Sequence, residues 1–467
     1  MKEKSSKNIP QTHLFVPEDL HLYDLPQIFS ASATWLECGM ENQTATFDLI
    51  IRDMPSCRNF LLFCGLEEII ESIKKWKYSE EEIEDLLNSK IITKKFAEYL
   101  KNFKFTGTIY AMPEGTVFFP GESVIRITAP IIEANLLTMF LINIVTGNTK
   151  FLSKVIRPVI ASKSKICLGV AGLRAESFES AIKCARASYI AGAEGANSVP
   201  AFARKYNLKL IQPLTVAYHA VIKSFPTELE AMRKMANLFC GKISLMVDTY
   251  DFTQGVKNAI TVANKLKQKG LSLYGIMIDS GDLFKLCVQA RKMLDDVGLQ
   301  DVKITVASNL DEYKIKELND RKIPADAFLI ATEAIAVPDA PKLETVYKLA
   351  ELREDTKIKY CAKFSPGKES YPGRKQVFRV KKKGIFEKDI IGHEDENLGE
   401  PILVEVVRNG EVVYDLPSLD EIKSYVKTQL AQLPERFLEI DKQHEYKVEI
   451  SGRLSDLFKK VQKEHSS

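Results

Sequence analysis

What is scarce in this sequence narrows it first. The charge is nearly balanced: 65 basic side chains stand against 62 acidic ones, a net charge of +3. No electrostatic footprint for nucleic acid or for an anionic lipid surface follows from that balance. Histidine is rare, with six in the chain, and only His219 falls in the central region, which argues against a multi-histidine metal centre. The eight cysteines include no Cys-x-x-Cys pair, so neither a zinc site nor a disulfide framework is expected, and the thiols read as reduced core residues. The most apolar stretch, residues 136–145, is far shorter than the roughly 20 residues a bilayer requires. The start, Met1-Lys-Glu-Lys-Ser-Ser-Lys, lacks the apolar core of a signal peptide. A soluble, cytoplasmic chain with no nucleic-acid or membrane partner is the expectation. Neither Gly-x-Gly-x-x-Gly nor Gly-x-x-x-x-Gly-Lys-Ser/Thr occurs, so a dinucleotide-binding Rossmann fold and a P-loop have no support.

What is present suits an α/β protein. At 467 residues, with 45% hydrophobic and 27% charged side chains, the chain is too long for one ordinary core. Residues 1–140 mix helix and strand signals, including a serine-capped acidic helix start at Ser79. Residues 141–345 have a different texture. Short apolar runs begin at Ile166, Leu208, Ile243, Leu273, Val302 and Ala327, each followed by a helical pattern, at the spacing of a repeated strand–helix unit. Such repeats predict a parallel sheet with helices outside it. Strands return after residue 345, with a helical tail from 418 to 430, and residues 346–467 are expected to pack back on the N-terminal part. The ends, 1–10 and 460–467, are polar enough to suggest disorder. The basic run from Arg379 to Lys383 reads as a solvated turn between strands.

Polar residues collect at the C-terminal ends of the central apolar runs: His219, Asp248-Thr-Tyr-Asp, Asp279-Ser-Gly-Asp, Ser308-Asn-Leu-Asp and Thr332-Glu. In an α/β barrel those ends converge on one face, where active sites are built. Any one of the aspartates can equally be a helix N-cap after a strand. His219 can be a hydrogen-bonded, partly buried residue, and Arg174 a surface or ion-pair arginine. As a group at strand ends they favour a polar ligand site.

Several stretches carry a resemblance. They are Leu22-Tyr23-Asp-Leu, Ala45-Thr-Phe-Asp-Leu with Arg52 and Pro55, Gly65-Leu-Glu and Pro113-Glu-Gly-Thr. Further along are Phe119-Pro-Gly-Glu, Val247-Asp-Thr-Tyr-Asp, Gly255-Val-Lys-Asn-Ala, Asp279-Ser-Gly-Asp-Leu, Ala307-Ser-Asn-Leu-Asp-Glu, Val346-Tyr-Lys-Leu and Pro372-Gly-Arg-Lys-Gln-Val-Phe-Arg. In this order the chain resembles the nicotinate phosphoribosyltransferases over about 400 residues. The resemblance implies an irregular α/β barrel with an N-terminal α/β domain, the type II phosphoribosyltransferase arrangement, in a homodimer. It implies transfer of phosphoribose from phosphoribosyl pyrophosphate to nicotinate, with Mg²⁺, and coupling to ATP through a phosphorylated histidine.

By resemblance, Tyr23 is the tyrosine that stacks on the pyridine ring across the dimer. Thr215 and His219 correspond to the Gly-Thr-x-Ala-His motif, with His219 one position late and Tyr218 in register. Arg174 is the first arginine of Gly-Leu-Arg-Arg, Asp279 the barrel aspartate, and Thr332 the threonine of the phosphate loop. Asp248 and Ser308 join them as substrate-binding candidates, and His219 and Asp279 are the catalytic ones. Met277, Ala175, Leu329 and Ala331 depart from the motif. They leave open a second reading, a non-catalytic or altered-specificity relative that binds a pyridine or phosphoribosyl ligand. A barrel aldolase is a third reading, weakened because none of the motifs puts a lysine at a strand end.

Overall fold

The computed structural model describes residues 20–22, 24–169, 174–211 and 215–466. Tyr23, the Gly172-Leu173 half of the Gly-Leu-Arg motif and the first ten residues lie outside them. The chain divides into two compact units, one containing residues 154–338 and the other containing 14–153 and 339–467.

The first unit is built on a six-stranded parallel sheet. Its strands are β1 (Ile166–Gly169), β2 (Val216–Ala217), β3 (Ser244–Met246), β4 (Gly275–Ile278), β5 (Lys303–Val306) and β6 (Ala327–Ile330). Across the sheet they run β1-β6-β5-β4-β3-β2. Chain neighbours are therefore sheet neighbours except at β1 and β2, where the sheet is open, which makes it a half-barrel. The run expected at 208–214 is not strand over 208–211, and the strand forms later, at Val216. Leu208-Lys-Leu-Ile is apolar enough for a strand, but Leu210 and Ile211 are exposed, so no second face buries them.

Each strand–helix joint has a local cause. Asp251, Asp282 and Asp311 accept from the backbone N–H three residues on and cap the helices Phe252–Lys267, Leu283–Asp295 and Glu312–Asp320. Gly255 is required by packing, since a Cβ there would lie 2.1 Å from the Val247 carbonyl oxygen. Beneath the sheet, Glu312 is fully buried and takes Lys154 at 2.8 Å and Arg157 at 2.7 Å. These two cations ride on the long helix Thr138–Ser162, the last two turns of which belong to this unit. That helix and the turn before it are long and apolar enough to cross a bilayer, although the sequence suggested a shorter stretch; with Lys154 and Arg157 tied to Glu312 it serves as a core helix.

The second unit holds a seven-stranded antiparallel sheet in which Thr44–Ile51 pairs with both Thr345–Glu354 and Ser123–Pro130, while Thr108–Ala111 pairs with Val404–Arg408. Strands from both ends of the sequence thus share one sheet. The strands Lys375–Lys382 and Ile385–His393 meet at a turn where Lys383 has φ 52°; of the basic run only Lys383 lies in that turn, while residues 379–382 are strand, so the expected solvated turn is a strand end. Arg379 is the exception within that run: it is buried and forks onto Asp389 at 2.9 and 2.6 Å. Residues 452–466 form the helix Gly452–Ser466, not a disordered tail; Leu454 and Val461, buried, tie it down.

Candidate active site at the open edge of the half-barrel

Because β3 to β6 are parallel, the residues that follow them lie along one edge of the sheet. Side chains alternate across a strand, so Met246 and Asp248 share one face of the sheet, as do Met277 and Asp279. Val247 and Ile278, fully buried, take the other. The sheet face therefore carries an apolar tier and, one step further along, an acidic one.

The acidic tier is latched from several sides. The Oδ2 of Asp248 accepts from the Asp279 backbone N–H and from the Ser280 hydroxyl, both at 2.8 Å. Its Oδ1 is buried with no hydrogen-bond partner among the described residues, an arrangement that costs free energy unless a ligand donates to it. Asp279 is half-buried, and its carboxyl is held above the ordinary aspartate range, first by burial and then by Asp248; His219, Arg174 and the Ser308 N–H oppose this. Gly281, at φ 78°, turns the chain so that Asp282 can cap its helix. The Asp-Ser-Gly-Asp motif thus divides its labour: the first aspartate faces the site, and the second is structural.

The remaining candidates fall as follows. His219 opens the short helix His219–Lys223, and its Nδ1 lies 3.0 Å from Thr249 Oγ1. Tyr218, just before it, is 56% exposed, so of the two it is His219 that joins the acidic tier. Arg174 donates to the Thr332 hydroxyl at 2.9 Å. Ser308, at φ 86°, is followed by Asn309 at φ 47°, a strained pair that turns the Ser308 amide toward Asp279. Thr215 is half-buried beside β2, and its carbonyl accepts from Ser244 at 2.7 Å. Tyr23 lies outside the described residues. No group of three or more histidine, cysteine, aspartate or glutamate residues suited to a metal exists among the described residues.

Met277 is 5% exposed and packs with Met246, Ala307, Val216 and Leu329. Two departures noted in the sequence, Met277 and Leu329, thus belong to one apolar patch. Ala331 has φ −143° and ψ −91°, outside the extended and right-handed helical regions.

The second unit holds a constellation that the sequence reading did not single out. A cavity of about 310 Å³ is lined by Arg52, Lys348, Lys368 and Lys375, among others. Lys375 pairs with the buried Asp48 at 2.7 Å. Burial, and after it the charges of Arg52, Lys363 and Lys368, lower the Lys348 ammonium below the usual lysine range. The signal was visible, since Arg52 and Lys348 sit inside the quoted motifs, but only folding brings them together.

A half-barrel of parallel strands with a polar edge, joined to a largely antiparallel unit made from both chain ends, is the architecture of the type II phosphoribosyltransferases. The human nicotinic acid phosphoribosyltransferase shares it, with a TM-score of 0.81 at 20% identity over 94% of this chain and 99% of that one. Residues 22–146 match the nicotinate phosphoribosyltransferase N-terminal domain and residues 397–458 the C-terminal domain. The chain is 34% identical to the nicotinate phosphoribosyltransferase pncB2 of Mycobacterium tuberculosis over 92% of its length and 91% of the relative's. It is 32% identical to the Bacillus subtilis nicotinate phosphoribosyltransferase over 94% of both. The chain belongs to the nicotinate phosphoribosyltransferase family.

Proposed function

We propose that this protein forms nicotinate mononucleotide and pyrophosphate from nicotinate and phosphoribosyl pyrophosphate, as part of NAD salvage. The observation that carries the reading is the latched Asp248–Asp279 pair with its unbonded Oδ1. Attack of the pyridine nitrogen on C1 of the ribose expels pyrophosphate and passes through a state with positive charge on the sugar. That chemistry asks a protein for positioning and electrostatics more than for covalent help. Two carboxylates at one sheet edge stabilise the developing cation, and Asp248 Oδ1 is suited to accept from a sugar hydroxyl. Arg174 and Thr332 together offer donors to a phosphate.

Mg²⁺ commonly binds through one or two carboxylates plus substrate phosphates, and Asp248 and Asp279 fit that need; the ion would neutralise the leaving pyrophosphate. ATP as a co-substrate fits His219, whose Nδ1 engages Thr249 while Nε2 has no hydrogen bond among the described residues. A cytoplasmic homodimer to which Tyr23 contributes is part of the same reading.

The test is product analysis. The chain is incubated with phosphoribosyl pyrophosphate and Mg²⁺, with and without ATP, and offered nicotinate, nicotinamide or quinolinate. Pyrophosphate release matched by a pyridine mononucleotide supports the reading. Hydrolysis to ribose phosphate alone would remove it. A second reading, altered specificity, is favoured by the apolar patch around Met277.

A further inference from the structure

The network around Arg379 in the second unit holds one acid more than its cation neutralises. Glu122, just before the strand Ser123–Pro130, is fully buried. Its Oε2 accepts from the Phe119 N–H at 3.1 Å, while Oε1 is buried with no donor among the described residues. Within hydrogen-bond reach of Glu122 lies a second fully buried carboxyl, that of Asp389. Arg379 donates to Asp389 through Nε at 2.9 Å and Nη2 at 2.6 Å, and the Tyr446 hydroxyl donates to its Oδ1 at 3.2 Å. Ionised carboxylates only accept, so two of them cannot bond to each other unless one carries a proton. With both ionised, the site would hold a net negative charge away from solvent, which is costly; with one proton it is neutral. Burial, and after it the charge of Asp389, hold the Glu122 carboxyl well above the usual glutamate range, with Arg379 opposing. The other titratable groups facing the cluster are Tyr446 and, beside Arg379, Tyr425 of the helix Leu419–Gln432, whose neutral Gln429 accepts from Arg379 at 3.2 Å.

Tyr446 belongs to residues 434–450, which lead from the helix Leu419–Gln432 into the strand Val448–Ile450. Two anchors hold this segment. Asn59 donates to the Glu439 and Lys442 carbonyls at 3.0 and 2.9 Å and accepts from the His444 N–H at 2.8 Å; its amide does not titrate. The second anchor is Tyr446, whose ring stacks on Phe119 at 3.6 Å and whose hydroxyl ends on Asp389. We propose that Glu122 and Asp389 share one proton in the folded protein and that this proton latches the segment 434–450, so that raising the pH loosens the segment at Tyr446 while the Asn59 end stays fast. Once Glu122 ionises, it repels Asp389 and competes with it for Arg379, and the acceptor that Tyr446 reaches is disturbed. Tyr446 is itself held above the usual phenol range, by burial first and then by Asp389, so it remains a donor while Glu122 titrates. The folded Glu122 holds its proton more tightly than the unfolded one. Its contribution to stability is therefore fully present below about pH 4 and is lost as pH rises through the folded value.

The experiment reads the proton and the segment separately, on the full chain. Infrared spectroscopy at pH 7 is expected to show a protonated-carboxyl stretch in the natural protein that is missing from Glu122→Gln and that fades as the pH of the natural protein is raised. Hydrogen exchange, corrected for the intrinsic rate at each pH, follows residues 434–450. Between pH 7 and pH 10 the natural protein is expected to lose protection about tenfold or more over 445–450, and less than about threefold over 439–444, as local opening of one anchor implies. Glu122→Gln, whose amide donates to Asp389 at every pH, is expected to keep its protection across that range. Tyr446→Phe keeps the ring stack and cuts the hydroxyl tie. Its protection is expected to be lower at pH 7 and to lose its pH dependence, which keeps the test alive if Glu122→Gln fails to fold. Equal protection of 445–450 at pH 7 and pH 10 in the natural protein, or the same alkaline loss in either variant, overturns the latch. A natural protein without a protonated-carboxyl stretch that titrates, or one whose stretch survives in Glu122→Gln unchanged, overturns the shared proton and the latch with it.

Discussion

The core of the second unit and the edge of the half-barrel treat charge in opposite ways. In the second unit buried cations meet carboxylates of opposite charge: Arg379 forks onto Asp389, Lys375 meets Asp48, and Arg126 reaches Glu394 at 2.8 Å, although Glu122 Oε1 and Arg126 Nε keep no hydrogen bond among the described residues. At the edge of the half-barrel, Asp248 accepts from the Asp279 backbone N–H, its other oxygen is buried with no partner among the described residues, and two adjacent non-glycine residues sit at positive φ. A protein evolved for stability alone would not keep such an edge, since each feature costs about 1–3 kcal/mol. Local conflict amid local consistency marks the place where function is held. The motifs quoted for resemblance divide similarly, with scaffold stretches intact while Met277, Leu329 and Ala331 alter the site.

The sharpest way to break this contrast is to open a closed charge cluster. Glu312→Ala, in the core of the half-barrel unit, removes the carboxylate that Lys154 and Arg157 share, and the expected loss is about 3–5 kcal/mol, read as a lower denaturation midpoint. A loss below about 1 kcal/mol would mean that the triad is solvated and that the contrast is false.

A second prediction concerns Asp24, whose carboxyl accepts from the Met139 N–H at 3.1 Å and is raised to about 7 by burial. The folded carboxyl binds its proton more tightly than the unfolded one, so its contribution to stability is fully present below about pH 4. That contribution is lost as pH rises through about 7. An asparagine in its place would not ionise and would keep the acceptor. Asp24→Asn is therefore expected to be more stable than the natural protein at pH 8, by about 1–3 kcal/mol after allowing for screening, with the difference closing toward pH 4. Equal stability of the two proteins across that range would show that the carboxyl is hydrated.

At the edge itself, His219→Ala is expected to lower ATP-stimulated turnover about tenfold, roughly 1.4 kcal/mol, and ATP-independent turnover less. Equal loss in both conditions would reduce His219 to a positioning residue for Thr249. The smallest effect is expected at a helix end in the second unit. Ser418→Ala removes the capping box that joins Ser418 and Glu421 and should cost about 1 kcal/mol with turnover unchanged.

Much of this organisation was legible beforehand, for reasons that differ by element. The strands β3 to β6 are short apolar runs closed by polar residues, a pattern that buried parallel strands impose. The caps at Ser79, Asp282 and Ser418 use side-chain chemistry that acts within three residues. What could not be read depends on distant neighbours. The strand at Val216 displaced the run at 208–214 because burial decided between them. Asp248 and Asp282 have the same local signature, an aspartate after a strand, and only the fold shows that one caps a helix while the other meets Asp279 across strands. The cation group of Arg52, Lys348, Lys363 and Lys368 is assembled from segments about 300 residues apart, so no window along the chain contains it. Met277 was visible as a departure, but the sequence could not say that it forms one buried cluster with Met246 and Ala307, against which Val216 and Leu329 pack.

The central claim is that the Asp248–Asp279 edge is where phosphoribosyl transfer occurs. The direct measurement is the rate of nicotinate mononucleotide formation from phosphoribosyl pyrophosphate by the natural protein and by Asp279→Asn, with the fold of each checked by thermal unfolding. Removing charge stabilisation at a developing cation typically costs about a hundredfold or more in turnover. The account predicts that loss in kcat with the melting temperature unchanged or slightly raised, because the half-buried carboxylate it replaces is held above its ordinary range. A variant that folds and turns over within threefold of the natural protein would contradict it and place the chemistry elsewhere.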